Sequence, residues 1–377
     1  MNSALFHRPK HHALLSMLLG ATILMVILAA CGSGGGGTTT GNTGPKGCKK
    51  IGVLLPESDS SDRWESKDHP LLQQDITTSL PGATVDYYNA GNDATKQQTQ
   101  AETALTKGDC ILVVAPQDAS ASAAIVAKAK SSNVPVIAYD RLIQSSDLAY
   151  YVSFDGVAVG ELQGQYIVDH HTKGDNVIMI NGSQTDNNAL LFNRGALNKL
   201  QPLFDSKELN LVYQTFTPDW NNQTAQTEAE AALTQTGNKI QVAYVANDGM
   251  ANSVIAALKA QNLAGKVVVT GQDATVAGIQ NILTGVQSMT VYKAINLEAQ
   301  ATADLVAALS NGTDTASITK GSTTATSTGA NIPTVLETPV SVTKANIADT
   351  VLKDGYVTKD QICTGLPAGT DTGGICS

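Results

Sequence analysis

The segment VPVIAYDR, residues 134–141, begins as a buried strand and ends on two opposite charges. Its first four residues, 134–137, include the branched apolar side chains that a parallel strand buries on both faces. Asp140 and Arg141 follow without a turn residue between the strand and the charges. A single ion pair on a surface loop is the simplest explanation, and the rest of the chain decides whether it is correct.

Apolar, β-rich segments alternate with Ala-rich amphipathic stretches over much of the chain. The predicted strands form two sets of five, at 50–56, 83–90, 110–116, 134–140 and 149–155, and at 176–182, 210–216, 240–248, 266–273 and 287–293. This alternation predicts parallel sheets covered by helices on both faces. One closed eight-stranded barrel is the alternative, but the strand count fits it less well. The predicted fold class is therefore α/β, with two doubly wound parallel-sheet lobes.

The N-terminal segment has the pattern of an export signal. Arg8 and Lys10 precede an apolar run, which predicts a signal peptide over residues 1–30. An uncleaved anchor is the alternative, because the run could be long enough to span a membrane. The sequence LAAC, which ends at Cys31, looks like the lipobox of bacterial lipoproteins, and the Gly/Thr-rich residues 31–47 predict a flexible tether. We expect an extracytoplasmic protein, lipid-anchored to the outer face of the cell membrane, or periplasmic where an outer membrane is present.

Composition and motifs argue against two classes of function. The formal net charge of −9 argues against a nucleic-acid partner, since binding phosphates requires a basic surface. The chain contains no nucleophile elbow, no P-loop and no zinc-ligand spacing. We therefore expect a protein that is not an enzyme, without a cofactor or a bound metal.

The cysteines predict disulfides. With Cys31 assigned to lipid, four cysteines remain, and an even number in an exported chain can pair in three ways. In a doubly wound sheet of order 2-1-3-4-5 the first and third strands are neighbours. We therefore favour Cys48–Cys110, with Cys363–Cys376 as the second bridge.

Polar side chains cluster where the predicted strands end. They occur at 57–64, 117–118, 140–141, 155, 184–188, 247–248, 272–273 and 293. A position as a helix N-cap or a loop residue explains Asp118, Asp155 and Asp248 well. It explains Arg141 and Lys293 less well. Because ligands bind at the carboxyl ends of strands in open α/β sheets, these residues predict a polar cleft between the lobes.

The two tryptophans, Trp64 and Trp220, have polar flanks, SDRWES and PDWNNQ. A position in the core is one explanation, but these flanks favour stacking on a ligand. A sugar offers hydroxyl groups around its ring and apolar C–H faces above and below it. Charged and amide side chains with two indoles therefore predict a sugar-binding cleft.

Longer segments resemble a known family over about residues 50–356. They include YDRLI, FDGVAVGELQGQYIVD, DNNALLFNRGALNKLQP, VLKDGY and the long run from NDGMANSVIAALKAQNLAG to VQSMTVYK. Together these segments resemble the D-xylose-binding periplasmic proteins, a branch of the type I substrate-binding proteins of ABC sugar importers. The tether and the Cys-bearing C-terminal tail lie outside the resemblance.

The resemblance implies a set of sugar-contacting residues, carried over motif by motif. These residues are Arg63, Trp64, Asp140, Arg141, Asp186, Asn188, Trp220, Asn247, Asp273 and Lys293. It implies that Asp140 and Arg141 are rim ligands that preorganise each other. Asp219 replaces a glycine of the family, which leaves open a wider tolerance towards hexoses or arabinose.

The resemblance also implies a division into lobes joined by a three-segment hinge. We expect an N-terminal lobe of residues 48–155 plus 294–330 and a C-terminal lobe of residues 156–293 plus 331–377. The implied function is capture of a monosaccharide, first of all D-xylose, for delivery to an ABC permease, and we expect a monomer. The alternatives are a chemosensory sugar receptor, a binder of glucose, arabinose or ribose, and an exported carbohydrate-active enzyme.

Overall fold

Residues 46–376 are described by the computed structural model of the protein. The predicted signal peptide (1–30), the predicted lipidation site Cys31 and nearly all of the predicted tether (31–47) lie outside these residues. Within the described part, no helix is both long and apolar enough to cross a membrane.

The first lobe is built on a seven-stranded sheet of order β11-β12-β5-β4-β3-β1-β2. Its strands are β1 (Lys50–Leu55), β2 (Thr84–Asn89), β3 (Ile111–Val114), β4 (Val136–Tyr139), β5 (Tyr150–Phe154), β11 (Thr323–Ala325) and β12 (Asn331–Glu337). Neighbouring strands are parallel except β11 and β12, which are antiparallel. The order β2-β1-β3-β4-β5 confirms the predicted doubly wound arrangement.

The second lobe is built on a four-stranded parallel sheet of order β7-β6-β8-β9. Its strands are β6 (Asp175–Asn181), β7 (Leu209–Phe216), β8 (Val242–Val245) and β9 (Val268–Val269). The tenth predicted strand, β10 (Thr290–Tyr292), instead pairs antiparallel with β13 (Val340–Val342). A single parallel bridge between Gln272 and Val291 connects this pair to the chain that follows β9.

Helices cover the sheets and fill the crossovers between parallel strands. They are α1 (His69–Ser79), α2 (Ala94–Lys107), α3 (Ala123–Ser131), α4 (Gly156–His170), α5 (Asn187–Asp205), α6 (Asn222–Thr236), α7 (Asp248–Ala260), α8 (Val276–Thr284), α9 (Ile295–Asn311), α10 (Ala316–Thr319) and α11 (Lys359–Cys363). Both faces of the first sheet are buried, because Val53 and Leu54 of one strand belong to different apolar clusters. The near-continuous apolar runs of the sequence follow from this two-sided burial.

The boundary predicted at residue 330 is wrong by the length of one strand. The prediction placed residues 331–337 in the C-terminal lobe, but β12 pairs in parallel with β5 of the first sheet, with Thr334 opposite Tyr151. The third crossing between the sheets therefore follows Glu337. β12 was not predicted because it contains a proline and polar residues and has only two buried positions, which alternate with exposed ones near the sheet edge.

The structure contains the two predicted disulfides. Cys48 and Cys110 have their Cα atoms 5.7 Å apart and join the chain before β1 to the start of β3. Cys363 and Cys376, with Cα atoms 5.6 Å apart, close the C-terminal segment. The first bridge forms because β1 and β3 are neighbours in the sheet.

Candidate binding cleft

All ten predicted site residues line one cavity between the carboxyl ends of the two sheets. The cavity has an empty volume of about 300 Å³, including its opening to solvent. Its lining consists of Ser60, Arg63, Trp64, Asp140, Arg141, Asp186, Asn188, Phe192, Trp220, Asn247, Gln272, Asp273 and Lys293. Residues that are distant in sequence thus meet where an open α/β fold binds its ligands.

The backbone at Asp140 explains how a buried strand can end on two adjacent charges. Successive side chains of an extended chain point to opposite sides. Asp140 has φ 57°, in the left-handed region that Asp tolerates better than most residues. The chain therefore turns directly after β4, and both Asp140 and Arg141 line the cavity.

Asp140 is bonded to residues other than its sequence neighbour. Its Oδ2 accepts hydrogen bonds from Arg63 Nη1 at 2.8 Å and from Lys293 Nζ at 3.0 Å, and its Oδ1 accepts from Asn188 Nδ2 at 3.0 Å. Burial alone would raise the pKa of Asp140, but the charges of Arg63, Lys293 and Arg141 lower it below its usual range. The carboxylate is therefore ionised and anchored by two cations.

Arg141 pairs most closely with Asp186 of the other lobe and lies 3.9 Å from Glu57, so the expected mutual anchoring of Asp140 and Arg141 is wrong. Its Nε lies 2.9 Å from Asp186 Oδ2. The same oxygen accepts a hydrogen bond from Trp220 Nε1 at 3.1 Å, and Oδ1 accepts one from the backbone N–H of Asn188 at 2.9 Å. Asp186 thus caps α5 and holds one indole and one guanidinium in place.

Arg63 lines the cleft, is buried and is held by carboxylates. Its Nε and Nη2 donate to Asp68 at 2.8 and 2.6 Å, and Nη2 lies 3.4 Å from Glu298. Burial alone would lower the pKa of Arg63, but Asp140, Asp68 and Glu298 raise it well above its ordinary value. A planar guanidinium with fixed donors is suited to such multiple pairing.

Trp64 supports the two guanidinium groups of this wall. The Arg63 Cζ atom lies 4.5 Å from the ring centre of Trp64, and the Arg141 Cζ atom lies 5.1 Å from it. Cations at these distances from an indole are attracted by the negative face of the ring. Trp64 therefore positions cationic side chains as well as lining the cavity.

Trp220 lies on the opposite wall in an unusual backbone conformation. Asp219 and Trp220 both have φ 54°, and the ring of Phe192 meets the indole edge-on with centroids 6.3 Å apart. A Cβ atom on Gly182 would overlap the indole, so only glycine leaves room for it there. Strained backbone of this kind concentrates at binding sites.

Asn247, Asp273 and Lys293 complete the wall formed by the second sheet and its crossing. The Oδ1 of Asn247 caps α7 by accepting from the Met250 N–H at 2.9 Å. Asp273 has φ 104° and lies 4.0 Å from Lys293 Nζ. Burial raises the pKa of Asp273, against the lowering effect of Lys293.

Three lining residues were not among the predicted ligands. Ser60 and Gln272 lie within polar segments that the sequence had singled out, at 57–64 and 272–273, so their position at strand ends is a usable signal. Phe192 lies one helical turn after Asn188 on α5, and its apolar side chain gave no signal.

Of the three aspartates explained as helix caps or loop residues, Asp155 is the N-cap of α4 and Asp118 is a loop residue in the turn before α3, whose N-cap is Ser122. Asp155 accepts from the Ala158 N–H, and Asp118 accepts from the N–H groups of Ser120 and Ala121. Asp248 is different. Asn247 is the cap of α7, and the buried Asp248 carboxylate accepts from Gln287, Thr290 and Thr275 beneath the cleft.

The cleft is balanced in charge and rich in hydrogen-bonding groups. Its lining has three cations, from two arginines and one lysine, and three aspartates. Among residues 46–376, no group of three or more His, Cys, Asp or Glu side chains could hold a metal ion. The arrangement can bind a neutral ligand with many hydroxyl groups, with an aromatic ring on either wall.

Comparisons with known proteins agree with this reading of the fold. The chain is 38% identical over 307 residues to the D-xylose-binding periplasmic protein of Escherichia coli (strain K12). The matched segment covers 81% of this chain and 90% of that protein. The chain is 36% identical over 316 residues to the D-xylose-binding periplasmic protein of Haemophilus influenzae, covering 83% of this chain and 92% of that one.

A solved structure shows the same architecture. The carbohydrate transporter solute binding protein from Chloroflexus aurantiacus, crystallised in complex with D-glucose, is 30% identical with a TM-score of 0.75, covering 84% of this chain and 98% of that one. The sequence model of the periplasmic binding protein domain matches residues 51–314. The chain therefore belongs to the periplasmic binding protein family, as a relative of the D-xylose-binding periplasmic proteins.

Proposed function

We propose that the protein captures a neutral monosaccharide between its two lobes, with D-xylose as the preferred ligand, and delivers it to an ABC importer. The observation that carries this proposal is the convergence of charged, amide and indole side chains from both lobes on one cavity. The two relatives named for D-xylose and the neighbour solved with D-glucose support a pyranose as the ligand.

The free hydrogen-bonding capacity of the cleft suits hydroxyl groups. Among the described residues, the buried Oδ1 of Asn188 and the buried Oε1 of Gln272 have no hydrogen-bond partner. Both can accept from a sugar hydroxyl, which is itself a donor and an acceptor. An ionic ligand would add an unbalanced charge to three cations and three carboxylates, and an unpaired buried charge is costly.

Contacts across the cleft support closure of the lobes around the ligand. Asn188 Nδ2 donates to Asp140, and Arg141 pairs with Asp186. At the edge of the cleft, the Ala119 N–H donates to the Thr185 carbonyl at 2.9 Å. Since the same side chains line the cavity and join the lobes, ligand binding and closure would be coupled.

We also propose export and lipid anchoring, on the sequence alone. The basic and apolar pattern of residues 1–30 and the LAAC motif ending at Cys31 support a lipid-anchored protein on the outer face of the membrane. Residues 31–47 would then act as a flexible tether that lets the lobes reach a permease. In this proposal the protein acts as a monomer.

Calorimetric titration of the purified protein tests the proposed ligand. We expect one site that binds D-xylose most tightly, D-glucose and L-arabinose more weakly, and D-glucuronate not at all. Tighter binding of D-glucose than of D-xylose would contradict the assigned sugar. Binding of an amino acid or a sugar acid without a response to any neutral sugar would contradict the proposed class of ligand.

A further inference from the structure

Gln272 lines the cleft, and its side-chain oxygen is buried without a partner in the described structure. The residue is 3% exposed, and its Oε1 has no hydrogen-bond partner among residues 46–376. A buried amide oxygen without a partner destabilises a folded protein, and nearly all buried polar groups are therefore paired. An unpaired one in the wall of a binding cavity points to a partner that comes with the ligand.

The backbone around Gln272 is arranged to present this side chain to the cavity. The Gln272 carbonyl accepts from the Asp248 N–H at 2.9 Å, and the residue bridges to Val291. In an extended chain the side chains of Gln272 and Asp273 would point to opposite sides. At Asp273, however, φ is 104°, and at Ala274 it is 50°, so the chain turns and both Gln272 and Asp273 line the cavity.

Two consecutive lining residues also occur on the other wall, at Asp140 and Arg141. There, too, an aspartate with positive φ follows a strand, and two consecutive side chains line the cavity. Positive φ at a non-glycine residue costs free energy and persists where the surrounding structure requires it. Each pair thus contains an aspartate with positive φ beside a second polar side chain that lines the same cavity.

Two neighbouring carboxylates, those of Asp140 and Asp186, have less capacity left for a ligand. The carboxylate of Asp140 accepts from Arg63, Lys293 and Asn188. The carboxylate of Asp186 accepts from Arg141, Trp220 and the Asn188 N–H, so these two carboxylates are largely occupied by the protein. The Gln272 amide has an open acceptor, and an amide can also donate, which matches a hydroxyl group better than a carboxylate does.

We propose that the Gln272 side-chain amide binds one ligand hydroxyl as both acceptor and donor, and that it makes this hydroxyl a requirement for tight binding. The inference rests on the proposed function of the same cleft. A site built to bond a hydroxyl discriminates strongly against an analogue without it, because the buried polar group then stays unpaired.

Substitution by methionine tests this role, because it should lower the affinity for sugar without lowering the melting temperature of the ligand-free protein. Gln272→Met keeps the length of the side chain and removes its hydrogen-bonding groups. Binding of D-xylose should weaken by about tenfold, the range for one or two neutral hydrogen bonds. The melting temperature of the ligand-free protein should stay equal or rise, because an unpaired buried oxygen is removed.

Gln100→Met is the control for affinity. The Nε2 of Gln100 donates to the Asn89 carbonyl, so the melting temperature of this variant is not compared. Gln100 also has a buried Oε1 without a partner in the described structure, but it lies outside the cavity lining. This variant should bind D-xylose like the wild type. Gln272→Asn keeps the amide, shortens its reach and serves as a second variant if the methionine disturbs folding; its affinity should also fall.

Monodeoxy derivatives of D-xylose identify the hydroxyl. The derivative that lacks this hydroxyl should bind to the wild type much more weakly than D-xylose does. To Gln272→Met it should bind nearly as well as D-xylose, because the bond between the hydroxyl and Gln272 is already absent from that variant. Equal D-xylose affinity of the wild type and Gln272→Met, or a lower melting temperature with unchanged affinity, would overturn the role of Gln272 and leave the proposed function intact. A wild-type protein that binds no neutral sugar would overturn the proposed function itself.

Discussion

The Nε atom of Arg141 lies 2.9 Å from Oδ2 of Asp186, and this buried ion pair joins the two lobes across the cleft. Both side chains also line the cavity. Buried charges are tolerated only when they are paired and hydrogen-bonded. The contact between the lobes therefore depends on two opposite charges: Asp186 of the second lobe pairs with the buried Arg141 of the first.

Removal of the Asp140 carboxylate should be costly for folding as well as binding. Asp140→Ala leaves Arg63 and Lys293 without their shared partner in a buried cleft. We expect the free energy of unfolding to fall by about 3–5 kcal/mol, the range for breaking a buried pair, and sugar affinity to be lost. Urea denaturation and calorimetric titration measure the two effects.

A surface aspartate provides the control for this substitution. Asp147 pairs with Lys130, and both side chains are exposed to solvent. Asp147→Ala should change the free energy of unfolding by less than about 1 kcal/mol, as is usual for exposed ion pairs. If Asp140→Ala changed the free energy of unfolding as little as Asp147→Ala, the buried charges around Asp140 would not stabilise the fold.

Gly182→Ala should weaken binding without removing any polar group. An added Cβ would overlap the indole of Trp220 and force it out of its position. We expect a loss of about 1–3 kcal/mol in binding free energy, similar to that of Trp220→Ala, since both remove the same aromatic contact. Tryptophan fluorescence and calorimetry would show it. Normal affinity in Gly182→Ala together with a loss in Trp220→Ala would mean that the exact place of the indole is unimportant.

Asp248 should make stability depend on pH. Burial raises the pKa of Asp248 from 3.8 to about 7, despite the hydrogen bond from Gln287. Between about pH 4 and pH 7 the folded state therefore holds a proton that the unfolded state releases. The free energy of unfolding should fall as pH rises through this window, by about 1.4 kcal/mol per pH unit at most.

Asp248→Asn separates this effect from other titrating groups. Burial also raises the pKa of Asp109, to about 6, and those of Asp186 and Asp273, so the wild type has several groups acting in the same direction. Denaturation at pH 5 and pH 8 should show a smaller difference in the Asn variant than in the wild type. An identical pH dependence in both proteins would assign the effect to groups other than Asp248.

The two disulfides should affect stability but not affinity. The Cys48–Cys110 bridge has a sequence separation of 62 residues and the Cys363–Cys376 bridge one of 13. Chain entropy predicts losses of about 4 and about 3 kcal/mol, respectively, when each pair is replaced by serine. Neither pair lines the cavity, so sugar titration of both variants should match the wild type. A variant that unfolds normally but binds poorly would show a link between bridge and cleft that the structure does not contain.

The sequence predicted the fully buried strands well. It predicted less well the exposed strands and the pairing of side chains that are distant in sequence. Apolar runs such as Ile111–Val114 predicted the central strands and their order, because both faces of these strands are covered. The strands after residue 320 were missed, since β11 to β13 contain many polar residues and are partly exposed.

The members of the candidate site could be predicted, but their pairing could not. Strand ends and motifs identified all ten lining residues named from the sequence. The partners of Asp140 are Arg63 and Lys293, which are 77 and 153 residues away, and the positive φ of Asp140 decides which of them it meets. Adjacency in sequence suggested Arg141 instead, and no local pattern could have corrected that.

A crystal structure of the protein with D-xylose tests directly whether the cavity between the lobes binds the sugar with residues of both walls. We expect one pyranose in the cavity between the lobes, bonded to Asp140 or Arg141 on one wall and to Asn247, Gln272 or Asp273 on the other, with Trp220 against a C–H face of the ring. A sugar bound outside this cavity, or one held by residues of a single lobe while the other wall stays more than hydrogen-bonding distance away, would contradict it.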